Sequence, residues 1–340
     1  MKYKVLSVNT PGFAINIGDY IQALASKQFL PTFDGFINRE TLNKYNDEPT
    51  KIIMNGWYMH KPENWPPSNC IIPLFVAFHI NTYTHGKMLS KAGIDYLKSN
   101  GPIGCRDFYT RDLLLKYNIK AYFSGCMTLT LGKNYYAKEK EDKCYFVDPV
   151  ISVKWNKLKL LKNLPYYILH KGDIDKLSSN IEIGLKGIRK YLRIVTFFRE
   201  YSKYFSYDTI MNAEYITHES PDFSKDFPTN EALLKEAERL VKKYARAKLV
   251  VTSRIHCALP CLGLETPVVY IDGNNNFQSS CRLGGLKELF NVLKWEEGHL
   301  KPCFDVIGKL GIENTPQNKN SWVEIRDNLV KTVKNFIENK

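Results

Sequence analysis

Short apolar runs alternate with stretches of helical spacing along nearly the whole chain. Tyr3–Asn9 has the pattern of a strand, Thr10–Asp19 that of a loop, and Tyr20–Leu30 carries apolar residues at helical intervals. Further strands are expected at Gly35–Asn38, Lys51–Asn55, Ile71–Phe78, Ile103–Cys105 and Ala121–Phe123, with helices at Met88–Lys98 and Phe108–Tyr117. This succession predicts a mostly parallel sheet with helices on its faces.

Between Leu131 and Lys143 the sequence turns polar and charged, and a domain boundary is placed there. Strand patterns resume at Cys144–Asp148, Tyr166–Leu169, Glu214–Thr217, Leu249–Thr252 and Val268–Ile271, and a long helix is expected at Asn230–Arg246. The expected organisation is an N-terminal α/β domain (residues 1–135) and a C-terminal α/β domain (residues 143–315) facing each other across a cleft. A final helix within residues 320–340 packs back on the first domain. The chain's 340 residues suit two domains of ordinary size.

The most informative stretch is Lys248–Asp272. A β-branched run ends at Ser253, a good helix N-cap residue, and Arg254 and His256 then fall in the first turn of a helix. Pro267–Asp272 reads as the next strand. A cation and an imidazole therefore sit at the carboxyl end of a strand, where open α/β sheets bind ligands and where free N–H groups favour anions. Asn16-Ile-Gly-Asp19 follows the same logic: Gly18 lets backbone approach a ligand and Asp19 is expected to cap the next helix. Asn55-Gly56 follows another strand, and Arg106 comes just after Ile103–Cys105, where it could fork two bonds to a carboxylate or phosphate.

The formal net charge is +13, which asks for an anionic partner. No helix-turn-helix, RNP or zinc-finger signature is present, so nucleic acid is not the expected partner. No apolar run reaches the ~18 residues of a membrane span, and the N-terminus enters a strand directly; a cytoplasmic location is expected. The eight cysteines form no C-x-x-C pair, and Cys257 with Cys261 lacks a second ligand pair, so packed thiols and no metal are expected. No G-x-G-x-x-G, P-loop or G-x-S-x-G occurs.

Taken in order, Asn16–Asp19, Asn55-Gly-Trp57, Gly104–Asp107 and Ser253–His256 followed by Pro267–Ile271 resemble the polysaccharide pyruvyl transferase family. The chain departs from that pattern at Ser124–Thr130, where members often carry Asp-Pro. The resemblance implies two Rossmann-like domains, as in the two-domain (GT-B-like) glycosyltransferases. It also implies phosphoenolpyruvate as donor and a ketal formed across two hydroxyls of a sugar in cell-surface polysaccharide synthesis. His256 would handle the proton, Arg254 and Arg106 would grip the donor's anions, and Ser253, Asn16, Gly18, Asp19, Asn55 and Gly56 would line the substrate site. No cofactor is implied; the acceptor would be a glycan or lipid-linked saccharide.

Two other readings fit the same architecture. One is a glycosyltransferase using a nucleotide sugar, with Glu265 available for the ribose. The other is a non-catalytic glycan-binding or assembly protein. Finally, Ile181, Leu185, Ile188, Leu192 and Val195 mark one helix face, with Lys186, Arg189, Lys190 and Arg193 off it. Upstream, Lys154, Lys157, Lys159 and Lys162 interleave with Trp155, Leu158, Leu160 and Leu161. Such a basic region either stays a solvated face or meets an anionic membrane, at its inner face, or a diphosphate-linked glycan carrier.

Overall fold

The computed structural model describes residues 1–8, 14–153, 157–182, 185–220, 222–273 and 281–339. Two parallel sheets dominate it. In the first half, Phe36–Asn38 pairs with Val5–Ser7, and Lys2–Tyr3 pairs with Thr50–Ile53. Thr50–Ile53 pairs in turn with Ile71–Leu74. Beyond a bend, Gly56–Tyr58 pairs with Phe78–Ile80, followed by Ile103–Cys105 and Ala121–Phe123. Counting each bent strand once, the order is 2-1-3-4-5-6.

The second half repeats this order. Glu214–Ile216, Glu141–Val147, Ala247–Thr252, Val268–Asp272 and Asn291–Glu296 run parallel, and His299–Pro302 closes the edge antiparallel. In such an order the connections leave in opposite directions on either side of strand 1. A crevice therefore opens between the carboxyl ends of strands 1 and 3. In the second half those ends carry Asp148 and Ser253; in the first they carry the segment leading to Asn16, and Asn55. The expected two Rossmann-like halves facing a cleft are present, although no sequence repeat marks the shared order.

The halves share one core. The helices Ile17–Lys27, Asn230–Arg246 and Ile255–Gly263 meet the Met127–Thr130 turn and the final helix, Val323–Glu338, in a single apolar cluster. Gly263 is required there: a Cβ on it would lie 2.2 Å from the Leu129 carbonyl oxygen. Lys51, buried, donates to the Phe336 carbonyl at 2.7 Å, so the first half ties down the C-terminal end of the last helix. A second link is nearer the cleft, where Glu219–Ser220 pairs antiparallel with Ile15–Asn16 and the Ile17 N–H donates to the His218 carbonyl at 2.8 Å. Ser124, in the segment departing from the family pattern, accepts from the Ala77 N–H at 2.8 Å and donates to the Cys105 carbonyl at 3.1 Å. It holds neighbouring strands together.

Several expectations are corrected. Tyr166–Leu169 is the end of the helix Lys157–Leu169, not a strand. Its short apolar run is ambiguous in period, and the turns before it carry it on as helix. Ile181 ends the preceding helix, Lys171–Asn180, and the next begins only at Gly187. Leu192 and Val195 are buried on it, but Ile188 is exposed. The first half's leading helix begins at Ile17, with Asn16 and not Asp19 as its cap. Lys154 and Trp155 lie outside the described residues, as do the side chains of Lys157, Lys159 and Leu160.

Candidate active site

The cleft between the sheets encloses about 390 Å³. Its second-half wall is organised by Asp148, which follows the Glu141–Val147 strand in the left-handed backbone region at φ +43°. One carboxylate oxygen accepts from the Thr217 hydroxyl at 2.8 Å. The other accepts from the His218 N–H at 2.9 Å and from Arg254 Nε at 2.7 Å. Arg254 also donates through an Nη to Glu219 at 2.9 Å. These two carboxylates offset burial and hold the guanidinium above its ordinary pKa. Arg254 faces the cleft, but much of its hydrogen-bonding capacity is spent within the protein.

Ser253 is not the N-cap. Its hydroxyl donates to the Asp148 carbonyl at 2.6 Å, and Arg254 takes the cap position of Ile255–Gly263 with no side-chain cap bond. Ser253 thus fixes the strand ends together, still on the cleft wall. His256 falls in the first turn as expected. Its Nδ1 lies 3.4 Å from Gln22 Nε2, and that same amide nitrogen donates to Asp19 Oδ1 at 3.1 Å. With Gln22 donating to Nδ1, the imidazole proton belongs on Nε2, a buried atom without a partner among the described residues. Burial, then the charges of Arg106 and Arg282, push the imidazole pKa well down, so His256 is neutral near pH 7.

Gly18 sets this contact. A Cβ at residue 18 would meet His256 Cβ at 3.0 Å and Asn16 Oδ1 at 2.9 Å. Its close approach is to another helix, not to an open space. Asn16 accepts from the Gly18 N–H at 2.9 Å and lines the cleft with Asp19. Burial raises the Asp19 pKa against the opposing pull of Arg39, Arg106 and His60.

Asn55 and Gly56 do not line this cleft. Asn55 donates to the Gln22 carbonyl at 3.1 Å and accepts from Ser26 at 3.0 Å, anchoring the helix that carries Gln22. Gly56, at φ +112°, leaves room for the Gln22 side chain. Both border a void of about 10 Å³ behind the site.

Arg106 is buried and faces the cleft. Its Nε makes no hydrogen bond among the described residues and lies 3.8 Å from Asp107, whose carboxylate already serves His79 Nδ1 at 2.6 Å and the Thr110 N–H at 2.9 Å.

Among the cleft groups not expected from the sequence are Arg39, His218 and Arg282. Arg39 follows Phe36–Asn38, donates to Glu40 at 2.9 Å and lies over the Trp57 ring at 5.2 Å. The strand-end rule that selected Arg106 selects it equally. His218 reaches the cleft from beyond Glu214–Ile216 and bonds Tyr244 through Nε2 at 2.7 Å. Arg282 sits in the turn Cys281–Leu283, docked on the first half where the Phe108 N–H donates to the Gly284 carbonyl at 3.2 Å. It makes no ion pair with a carboxylate among the described residues. Burial, followed by repulsion from Arg106, lowers its pKa. Two guanidiniums so placed have the chemistry to bind an anion.

Glu265 is at the opposite end of the Ile255–Gly263 helix, in a separate hollow with Lys133 and Arg326. Cys257 and Cys261 are buried in the shared core. Among the described residues no group of three or more His, Cys, Asp or Glu is placed to hold a metal.

The polysaccharide pyruvyl transferase family model matches residues 16–275. The chain belongs to that family. It is thereby a member of a transferase family of polysaccharide biosynthesis, as the ordered motifs suggested. No curated protein matches the chain. Among solved structures, E. coli heptosyltransferase WaaC with ADP is similar at 8% identity and a TM-score of 0.33, covering 98% of this chain and 99% of that one. The same enzyme with ADP-2-deoxy-2-fluoro heptose is similar at 10% identity and a TM-score of 0.31, covering 81% and 90%.

Proposed function

We propose that the protein transfers pyruvate from phosphoenolpyruvate to two hydroxyls of a glycan sugar, releasing phosphate and forming a ketal. The observation that carries this reading is the buried Nε2 of His256, without a partner among the described residues, set among guanidiniums that lack full carboxylate partners there. Arg106 and Arg282 receive the donor's phosphate and carboxylate. Their arrival has a second effect: the anions offset the Arg106 and Arg282 charges, which add to burial in lowering the His256 pKa, so that pKa rises as the donor binds.

Chemistry then proceeds in two balanced steps. One sugar hydroxyl adds to C2 of the enolpyruvyl group while C3 takes up a proton from His256, and the hydroxyl's proton returns to the imidazole. The second hydroxyl displaces phosphate from C2, and its proton leaves with the phosphate. Asp19, held toward its neutral form, lines the same cleft to orient an acceptor hydroxyl. The acceptor is a glycan or lipid-linked saccharide, and the reaction takes place in the cytoplasm.

A nucleotide-sugar transferase is disfavoured because Glu265, the acid considered for a ribose, lies away from the cleft. The decisive experiment offers phosphoenolpyruvate and nucleotide sugars in parallel, each with lipid-linked glycan acceptors. Phosphate release with a pyruvylated glycan supports the proposal; nucleotide release with no phosphate overturns it.

A further inference from the structure

The helix Lys157–Leu169 carries apolar side chains on its outward side as well as toward the core. Its inward side presents Asn163, buried and accepting from Arg199 at 2.6 Å, with the half-buried Tyr166 and Tyr167. Its outward side presents Leu158, Leu161, Pro165 and Ile168, spaced three and four apart as one exposed stripe. Leu158 is 65% exposed, Leu161 63%, Ile168 66%, and Leu169 beside them 78%. Ile188 on the neighbouring helix is 52% exposed. A soluble surface scatters such side chains singly; a contiguous stripe marks a binding face.

The charge around it is one-sided. From Lys157 to Tyr201 the chain carries ten Lys and Arg against four acids. Of the four acids, Asp173 is bonded to Tyr207, Asp175 to Lys171, and Glu200 is buried against Lys203. Lys162, Lys186 and Arg189 are exposed. An apolar stripe rimmed by cations suits an anionic bilayer surface, where leucines enter the acyl boundary and lysines meet headgroups. A second copy would bring the same excess of positive charge and be repelled.

Position ties this face to the cleft. The connection bearing it leaves the second sheet at Asp148, the residue that holds Arg254. It comes back past Asn180–Glu182, which border a hollow of about 290 Å³ shared with Asp148 and Thr217.

We propose that the outward stripe of Lys157–Leu169, with the flanking basic residues, docks the protein on an anionic membrane surface. This rests on the reading that the acceptor is lipid-linked, and it would bring the cleft to that acceptor. The test uses the full chain and vesicles without glycan or phosphoenolpyruvate, so its outcome is independent of the chemistry. Co-sedimentation is measured with vesicles of phosphatidylcholine alone and with phosphatidylglycerol added.

Binding is expected only to the anionic vesicles, falling as salt rises to several hundred millimolar. The pair Leu161→Ser with Ile168→Ser should weaken it at least tenfold at low salt, and so should Leu158→Gln with Leu169→Gln. All four side chains are exposed, so circular dichroism should be unchanged. Lys186→Gln with Arg189→Gln should weaken binding and flatten its salt dependence. No binding at low salt, equal binding to neutral vesicles, or binding untouched by both apolar pairs overturns the proposal. So does a dimer that those pairs dissociate, since the stripe would then be covered by a second copy.

Discussion

Gln22 Nε2 and His256 Nδ1 face each other at 3.4 Å across the two halves of the molecule, and Gln22 is itself held by Asp19 at 3.1 Å. The pair fixes which imidazole nitrogen carries the proton. Gln22→Leu removes the donor and frees His256 to adopt the other tautomer. Turnover should fall roughly 10- to 100-fold with donor affinity little changed. Nitrogen-15 chemical shifts of His256 should show the proton moving from Nε2 toward Nδ1. A variant with reduced turnover and an unaltered tautomer would show that Gln22 acts otherwise.

His256 itself is expected to move the proton. His256→Ala should lower turnover by ~10² to 10⁴ at saturating donor and leave the fold intact. Donor binding should also raise the imidazole pKa, because phosphate and carboxylate offset Arg106 and Arg282, two of the charges that depress it. Titrating His256 by NMR with and without phosphoenolpyruvate checks this. An unchanged titration would show that the donor's anions do not act on the imidazole.

The arginines should separate into two kinds. Among the described residues Arg106 Nε has no hydrogen-bond partner and Arg282 pairs with no carboxylate, so Arg106→Lys or Arg282→Lys should weaken phosphoenolpyruvate binding about tenfold or more, as Lys cannot supply a planar fork. Arg254 is engaged by Asp148 and Glu219. Arg254→Lys should therefore lower the melting temperature while changing donor affinity less than the other two. Calorimetry on the three variants decides the ranking.

Gly18 is a steric device. In most helices Gly→Ala gains stability by roughly 1 kcal/mol. Here the added methyl meets His256 Cβ at 3.0 Å and Asn16 Oδ1 at 2.9 Å. Gly18→Ala is expected to displace His256, cutting turnover about tenfold or more through the lost alignment while unfolding changes little. Turnover and denaturant midpoint, measured together, test that split.

Much of this site could be read from local order, because the strand-to-helix junctions are local. The Ile103–Cys105 strand, the Asn230–Arg246 helix and the placement of Arg106 and His256 all follow from short-range patterns. What escaped depends on chain crossings. Asn55 follows a strand as a ligand contact would, yet the helix packed over it claims its amide. Ser253 has cap chemistry, but Asp148, more than a hundred residues earlier, offers its hydroxyl a carbonyl instead. Arg282 stands in a stretch without periodicity and reaches the cleft only because its turn docks on Phe108. Tyr166–Leu169 could be either element until its neighbours decided.

The buried histidines make acid stability predictable in sign. His218 is wholly buried, bonded to Tyr244 at 2.7 Å, and burial lowers its pKa to about 4. His79 and His256 are lowered for the same leading reason. In the unfolded chain each takes up a proton near pH 6.5, whereas in the folded protein His218 stays neutral until about pH 4. Between those values the unfolded state binds more protons, so the His218 contribution to stability falls as pH falls from about 6.5 toward 4 and levels out below. His218 alone contributes on the order of 3 kcal/mol to that loss. Asp19 runs the opposite way: its raised pKa favours the folded state at low pH and gives that up as pH rises past the ordinary carboxylate value. The three histidines outnumber it, so melting temperature should drop steadily from pH 7 to pH 4.5. His218→Gln, which cannot titrate, should flatten part of that slope even if it lowers stability at pH 7. A parent protein with constant melting temperature over this range, or a variant with an unchanged slope, would show that His218 does not stay neutral in the fold.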